Sequence, residues 1–404
     1  MHCPRISTPL AALLAAALLA ACGSAPDPEV SGPVPTDTSI TGPDWDAQPR
    51  EAATVFISGH SLVDQPMPDF LAAVAGDKQT PMSWNRHYIV GSSIGRRIRG
   101  QDVNASVWDG YREGYNRDSE NMDVIAELKT GATVGGQPYD ALVITEQHVV
   151  LEAIVNNDTV RLLRNYHDRF IDGNPQGNTY FYESWLSMDS KDDPRNWIAY
   201  ERAASPIWQC VATRINVSLE AEGRSDRIVS LPAGAALAEL VDRATSGSGL
   251  PGITQDSIRA TVASLFIDDV HAKPLGVYYV ALVSYASIYR RSPVGAWRPE
   301  NVTSEQAQSL QNLAWEFVSA YYSRYRPLSL TECREQLVNE FNGVFWGYVR
   351  DSRWPDLNAV RRYARWARGY WNWRKIFSAA DLRNPFFFDH DRDREYWLSA
   401  PPSQ

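Results

Sequence analysis

Apolar side chains fall in short runs, separated by stretches with helical spacing. Residues 54–58, Thr-Val-Phe-Ile-Ser, are rich in β-branched and aromatic side chains and predict a buried strand. Residues 66–74 follow with a proline early and a helical pattern. The alternation then recurs. Strands are predicted over 84–90, 139–145, 179–185 and 227–231, and helices over 122–129, 157–170, 235–243 and 275–289. The segment 275–289 is apolar nearly all round, as a buried helix should be. Strands alternating with helices predict an α/β fold in three layers, a mainly parallel sheet with helices on both faces. Two further helical stretches, 304–325 and 330–348, follow the last strand-helix unit.

In such a sheet, ligands collect at the carboxyl ends of the strands. The first predicted strand ends in Gly59-His60-Ser61-Leu62, so Ser61 sits where strand hands over to helix. Gly59 permits a tight turn, and a nearby helix N-terminus favours an oxyanion. A nucleophilic serine needs a base, and the base needs an orienting acid. Both stand in one later block, Leu-Phe-Ile-Asp-Asp-Val-His, where Asp268 and His271 are three apart just before a helix that Pro274 can start. At that spacing a carboxylate reaches the imidazole of its own loop.

The Gly-His-Ser-Leu block and the Asp-x-x-His block resemble those of the SGNH, or GDSL-type, hydrolases, over residues 54–289 or thereabouts. The resemblance implies an SGNH/flavodoxin-like fold and a serine esterase. Ser61 would be the nucleophile, His271 the base and Asp268 its partner. His60 stands where the family has an aspartate outside the triad. The family's glycine donor to the oxyanion hole corresponds to Gly91 or Gly95. Its asparagine donor has no counterpart, and Glu146 or Gln147 stands near that place. A carboxylate there would repel the charge that a hole stabilises. No cofactor is implied. The substrate would be an ester, with O-acyl (acetyl) groups on an envelope or extracellular saccharide as the leading expectation. Acyl transfer to a sugar, or a non-catalytic binding lipoprotein with this fold, are the alternatives. An α/β-hydrolase is excluded, because Val63 stands where its second motif glycine belongs and the acid is next to the histidine.

The first residues belong to targeting. Arg5 precedes an apolar run over 10–21, and Leu19-Ala20-Ala21-Cys22 resembles a bacterial lipobox. Residues 1–21 are thus expected to be a lipoprotein signal peptide, with Cys22 the lipidated N-terminus. Gly23 after that cysteine favours the outer over the inner membrane. Residues 22–50, rich in Pro, Gly, Ser, Thr and Asp, read as a flexible tether. The hydrolase-like domain is assigned to 51–326 and a helical, aromatic-rich extension to 327–404.

A net charge of −9 argues against nucleic acid as partner. With Cys3 and Cys22 assigned to the leader and the lipid site, Cys210 and Cys333 remain. Export permits a disulfide between them; two buried thiols are the other reading. Glu146, His148 and His271 lack any zinc-ligand spacing, and no metal is predicted. His87 reads as a structural hydrogen-bonding residue. Arg96, Arg97 and Arg99 read as solvated, or as contacts for an anionic substrate. In 353–375, seven basic residues face the single acid Asp356, and Tyr363, Trp366, Tyr370, Trp373 and Phe377 form an aromatic stripe. Such a stripe packs on the main domain, or offers a face to sugar rings or an anionic surface.

Overall fold

Strand β1, Ala53–Gly59, is an interior strand of a five-stranded sheet and is buried along nearly its whole length. That explains its unbroken apolar sequence, since both faces are covered. The computed structural model describes residues 49–101 and 108–398. All strand pairs are parallel, in the order β2-β1-β3-β4-β5, with β2 Met82–Tyr88, β3 Ala141–Thr145, β4 Asn178–Tyr182 and β5 Ile228–Leu231. The expected α/β architecture is therefore observed.

The helices are, in order, α1 Met67–Asp77, α2 Ile94–Arg99, α3 Val124–Thr130, α4 Val150–Asn156, α5 Thr159–Gly173 and α6 Arg195–Ala221. Then come α7 Ala233–Thr245, α8 Ile258–Leu265, α9 Pro274–Tyr289, α10 Ser304–Ser323, α11 Leu330–Glu335, α12 Asn342–Ser352, α13 Ala359–Ser378 and α14 Asp393–Tyr396. Helix α9 packs against α1, α7 and α10, and α5 against α2, α3 and α6. As its uniformly apolar sequence predicts, α9 is buried from Tyr278 to Tyr289.

Two elements depart from expectation. The second strand begins at Met82 and ends at Tyr88, two residues earlier than its apolar content suggests. Its polar centre, Asn85, Arg86 and His87, is buried because each side chain finds a partner inside. The long helix α6 was not anticipated; it runs through Pro206 and buries Arg214, Asn216 and Ser218 beside its apolar residues.

The C-terminal helices share the main core. Phe341, Phe345, Tyr348, Trp373 and Phe377 belong to the same buried cluster as the strands. Between α11 and α12 the chain makes a π-helical stretch, Gln336–Phe341. Cys210 of α6 and Cys333 of α11 are joined by a disulfide. Arg214 of α6 pairs with Asp393 of α14 at 2.5 Å. The expected signal peptide, with Cys3 and Cys22, and nearly all of the expected tether lie outside the described residues.

Candidate functional site

The sheet order changes direction at β1: β2 lies on one side and β3 on the other. Chain segments leaving β1 and β3 therefore diverge at their carboxyl ends and leave a crevice. Ser61 follows β1 there, and Glu146 and Gln147 follow β3. Ser61 sits in a turn closed by the Val63 N–H donating to the His60 carbonyl at 3.0 Å. Helix α1 starts only at Met67, so the turn, and not a helix end, presents the serine. Gly59 is required by close packing: a Cβ there would lie 2.1 Å from Val63 Cγ2.

His60 anchors this turn. Its Nε2 lies 3.0 Å from the Glu146 carbonyl, and the Leu62 N–H points at its Nδ1. Nδ1 must then accept, which fixes the Nε2–H tautomer. Burial, with Arg97 adding to it, lowers the pKa of His60 to about 3, so the ring is neutral. Ser184 Oγ also donates to the Glu146 carbonyl, which ties the ends of β1, β3 and β4 together.

The loop after α8 brings in the other two residues. Ser61 Oγ lies 3.0 Å from His271 Nε2, although the residues are 210 apart in sequence. His271 Nδ1 lies 2.7 Å from Asp268 Oδ2. The Asp268 Oδ1 atom accepts the backbone N–H groups of Val270 and His271 at 2.8 and 2.7 Å. Partial burial pushes the Asp268 carboxyl up, but these N–H groups and the ring outweigh it and hold the pKa at about 2. The ionised carboxylate accepts the Nδ1 proton and leaves the Nε2 lone pair facing Ser61. Trp185, after β4, holds this loop by donating its indole N–H to the Val270 carbonyl at 2.6 Å. The Met188 N–H does the same for Asp269 at 2.8 Å.

On the β3 side the expectation for Glu146 is corrected. Its carboxylate is fully buried and turned inward, where it accepts from the Ile94 N–H at 3.1 Å, the Gln147 N–H at 2.7 Å and Thr159 Oγ1 at 2.8 Å. Burial raises its pKa. It is a brace between β3 and the first turns of α2 and α5, not a group lining the crevice. Gln147 takes the outward place. Its Nε2 donates to the Gly91 carbonyl at 3.0 Å, and its Oε1 accepts from Asn157. Of the two glycines, Gly91 is exposed in a turn at φ +61°, whereas Gly95 is buried inside α2 against Leu162. Of the two candidates, Gly91 is thus the exposed one. Among the described residues, neither the Ser61 nor the Gly91 N–H donates a hydrogen bond.

Arg97 is also corrected: it is fully buried, not solvated. It donates to Ser58 Oγ at 2.9 Å, to the Ser92 carbonyl and hydroxyl, and to the Thr145 carbonyl. Burial lowers its pKa to about 10, against the attraction of Glu146, so it stays charged at neutral pH. Arg96 pairs with Glu113, and Arg99 lies 3.8 Å from Asp158. A signal for Arg97 exists in the sequence: it shares the 94-97-98 face of α2 with Ile94 and Ile98, both buried. His87 is buried between the Tyr166 hydroxyl and the Glu113 carbonyl, in keeping with a structural role.

Beside Ser61 and His271 opens a cavity of about 250 Å³ with mostly apolar walls, among them Leu62, Met67, Trp185, Ile267, Val277 and Val280. Elsewhere, Arg353 at the end of α12 pairs with Glu152 at 3.0 Å, and Tyr348 donates to the Ser187 carbonyl. Burial, then Arg353, then His271 lower the pKa of His148. Among the described residues no group of three or more His, Cys, Asp or Glu side chains is placed to hold a metal.

No family model matches the chain, and no curated protein matches its sequence. Among solved structures, the chain is similar to a DUF4886 family protein from Bacteroides uniformis ATCC 8492, at 13% identity and a TM-score of 0.46. The alignment covers 69% of this chain and 98% of the other.

Proposed function

We propose that the chain is an SGNH-type serine esterase, exported and held to the cell envelope through a lipid on Cys22. One observation carries the catalytic part: the Ser61–His271–Asp268 relay, with its 3.0 and 2.7 Å contacts. In this reading Ser61 Oγ attacks the acyl carbon while His271 Nε2 takes the hydroxyl proton. The C–O bond to the alcohol then breaks, and His271 returns that proton to the leaving oxygen. Water, deprotonated by the same ring, attacks the acyl-serine and releases the acid. The N–H groups of Ser61 and Gly91 would hold the oxyanion, and the second amide proton of Gln147 would stand in for the missing asparagine. The lipid anchor rests on the Leu19-Ala20-Ala21-Cys22 sequence alone.

The deciding experiment is labelling with a fluorophosphonate, followed by mapping of the modified residue. Attachment at Ser61, lost in Ser61→Ala together with hydrolysis of p-nitrophenyl acetate, is the expected result. An unlabelled, folded protein would favour a binding lipoprotein instead.

A further inference from the structure

Helix α13 carries Arg361, Arg362, Arg365, Arg368, Arg374 and Lys375 and no acidic residue, in a chain whose net charge is −9. Its aromatic stripe faces inward at its C-terminal end, while Tyr363 at the other end is 49% exposed. Trp373 and Phe377 are buried, Trp373 packs 4.7 Å from Trp346, and Trp366 stacks on Tyr370 at 5.6 Å. That leaves the opposite side of the helix unpartnered. At about 100° per residue, Val360, Trp371, Ala364, Lys375, Arg368, Arg361, Asn372 and Arg365 fall within one arc of roughly 140°. Every one of these eight is exposed.

Two details separate this face from an ordinary solvated one. First, neighbouring arginines of the C-terminal region are neutralised by carboxylates: Arg350 by Asp351, Arg353 by Glu152 and Arg383 by Asp381. Among the described residues Arg361, Arg365, Arg368 and Lys375 enter no ion pair, and Arg365 only stands over the Trp354 ring at 5.4 Å. Second, the edge of the same arc is apolar, with Val360 81% and Trp371 63% exposed. Cations attract any polyanion, but a polar polyanion has no layer to receive a valine and an indole side by side. A lipid interface does: headgroups take the charges, and the indole sits at their level.

We propose that this face of α13 docks on an anionic lipid surface. Its cations meet the headgroups, and Trp371 and Val360 enter the boundary of headgroup and acyl chains. The contact is separate from any lipid on Cys22 and independent of the chemistry at Ser61.

The test uses the chain from residue 22 onward carrying Cys22→Ser, which removes both the apolar run over 10–21 and the lipid site. Co-sedimentation is measured with vesicles of phosphatidylcholine alone and with equimolar phosphatidylcholine and phosphatidylglycerol. Binding to the second only, weakening with added salt, is expected. Each of Arg361→Gln, Arg365→Gln, Arg368→Gln and Lys375→Gln should weaken it about fivefold. Trp371→Ala should weaken it too, while Arg195→Gln and Arg259→Gln should not. Thermal unfolding identifies any variant that has not folded, and the remaining single variants then decide. Equal binding to both vesicles, or variants that bind like the parent, would overturn the proposal. So would soluble polygalacturonate binding as tightly and with the same dependence on Trp371, which would make the partner a polysaccharide.

Discussion

The Glu146 carboxylate accepts the Ile94 N–H at 3.1 Å, so the residue standing where an asparagine donor was expected points away from Ser61. Its other partners, the Gln147 N–H and Thr159 Oγ1, are hydrogen-bond donors in a dry place. Replacing it leaves those donors unmade, at a cost of about 1–3 kcal/mol for each one stranded. Glu146→Asn is therefore expected to lower the denaturant midpoint clearly and to give no gain in ester turnover. A faster enzyme of unchanged stability would mean that the side chain does reach the oxyanion.

Asp268 does two jobs with two oxygens. Oδ1 caps its own loop through the Val270 and His271 N–H groups, and Oδ2 receives the His271 ring. Asp268→Asn keeps Oδ1 as an acceptor but turns an N–H₂ group toward Nδ1. The ring then relaxes to the Nε2–H tautomer, which cannot take a proton from Ser61. Turnover should fall by up to ~10⁴, with the melting temperature little changed. If turnover holds within a few-fold, the relay is not the catalytic group.

Buried titrating groups shape stability against pH from both sides. His60 and His87 are held neutral by burial, with folded pKa values of about 3 against an ordinary 6.5. Their contribution is complete above pH 6.5 and is lost as pH falls toward 3, because the unfolded chain takes protons that the folded one refuses. Glu183 acts oppositely. Burial raises its carboxyl to about 8 from an ordinary 4.5, despite hydrogen bonds from Ser230 and Ser205. Stability from this group is present below pH 4.5 and is lost as pH rises through 8. Calorimetry across pH should show losses on both flanks, and Glu183→Gln should flatten the alkaline one. An alkaline flank that is unchanged in Glu183→Gln would assign that loss to other groups.

Strands buried on both faces announce themselves as unbroken apolar runs, which is why β1, β3 and β5 were legible. The Asp268–His271 loop was legible because both residues act within three positions of each other. What stayed hidden depends on partners distant in sequence. His60 is placed by a carbonyl 86 residues away, and the direction of Glu146 is set by α2 and α5. Arg97 looked like one of three surface arginines until Ser58 and Thr145 surrounded it. Helix α6 escaped because its buried face carries polar side chains such as Arg214 and Ser218, which pair with Asp393 in the last helix.

The lipid anchor can be tested apart from everything else. Labelled palmitate fed to a bacterial host should enter the protein, and Cys22→Ala should abolish incorporation. One acyl chain binds a membrane only reversibly, so firm attachment needs the several chains such a cysteine carries. Labelling that persists in the variant would place the modification elsewhere.

Trp185 joins the two halves of the site. Its indole N–H fixes the Val270 carbonyl, one residue before His271, and its ring walls the cavity of about 250 Å³ beside Ser61. These roles separate by substitution. Trp185→Phe keeps most of the wall but strands the carbonyl, so the base loop is held less firmly. The loss of one such bond, about 1 kcal/mol, corresponds to a several-fold lower kcat. KM should hardly move, because the substrate still meets the same apolar wall. Trp185→Ala removes the wall as well. Esters with longer acyl chains should then gain on acetyl esters, read as the ratio of kcat/KM along a p-nitrophenyl series. If Trp185→Phe has parental kinetics, the indole bond does not position His271. If Trp185→Ala leaves the chain-length profile unchanged, the acyl group lies elsewhere, and the cavity belongs to the alcohol side of the ester.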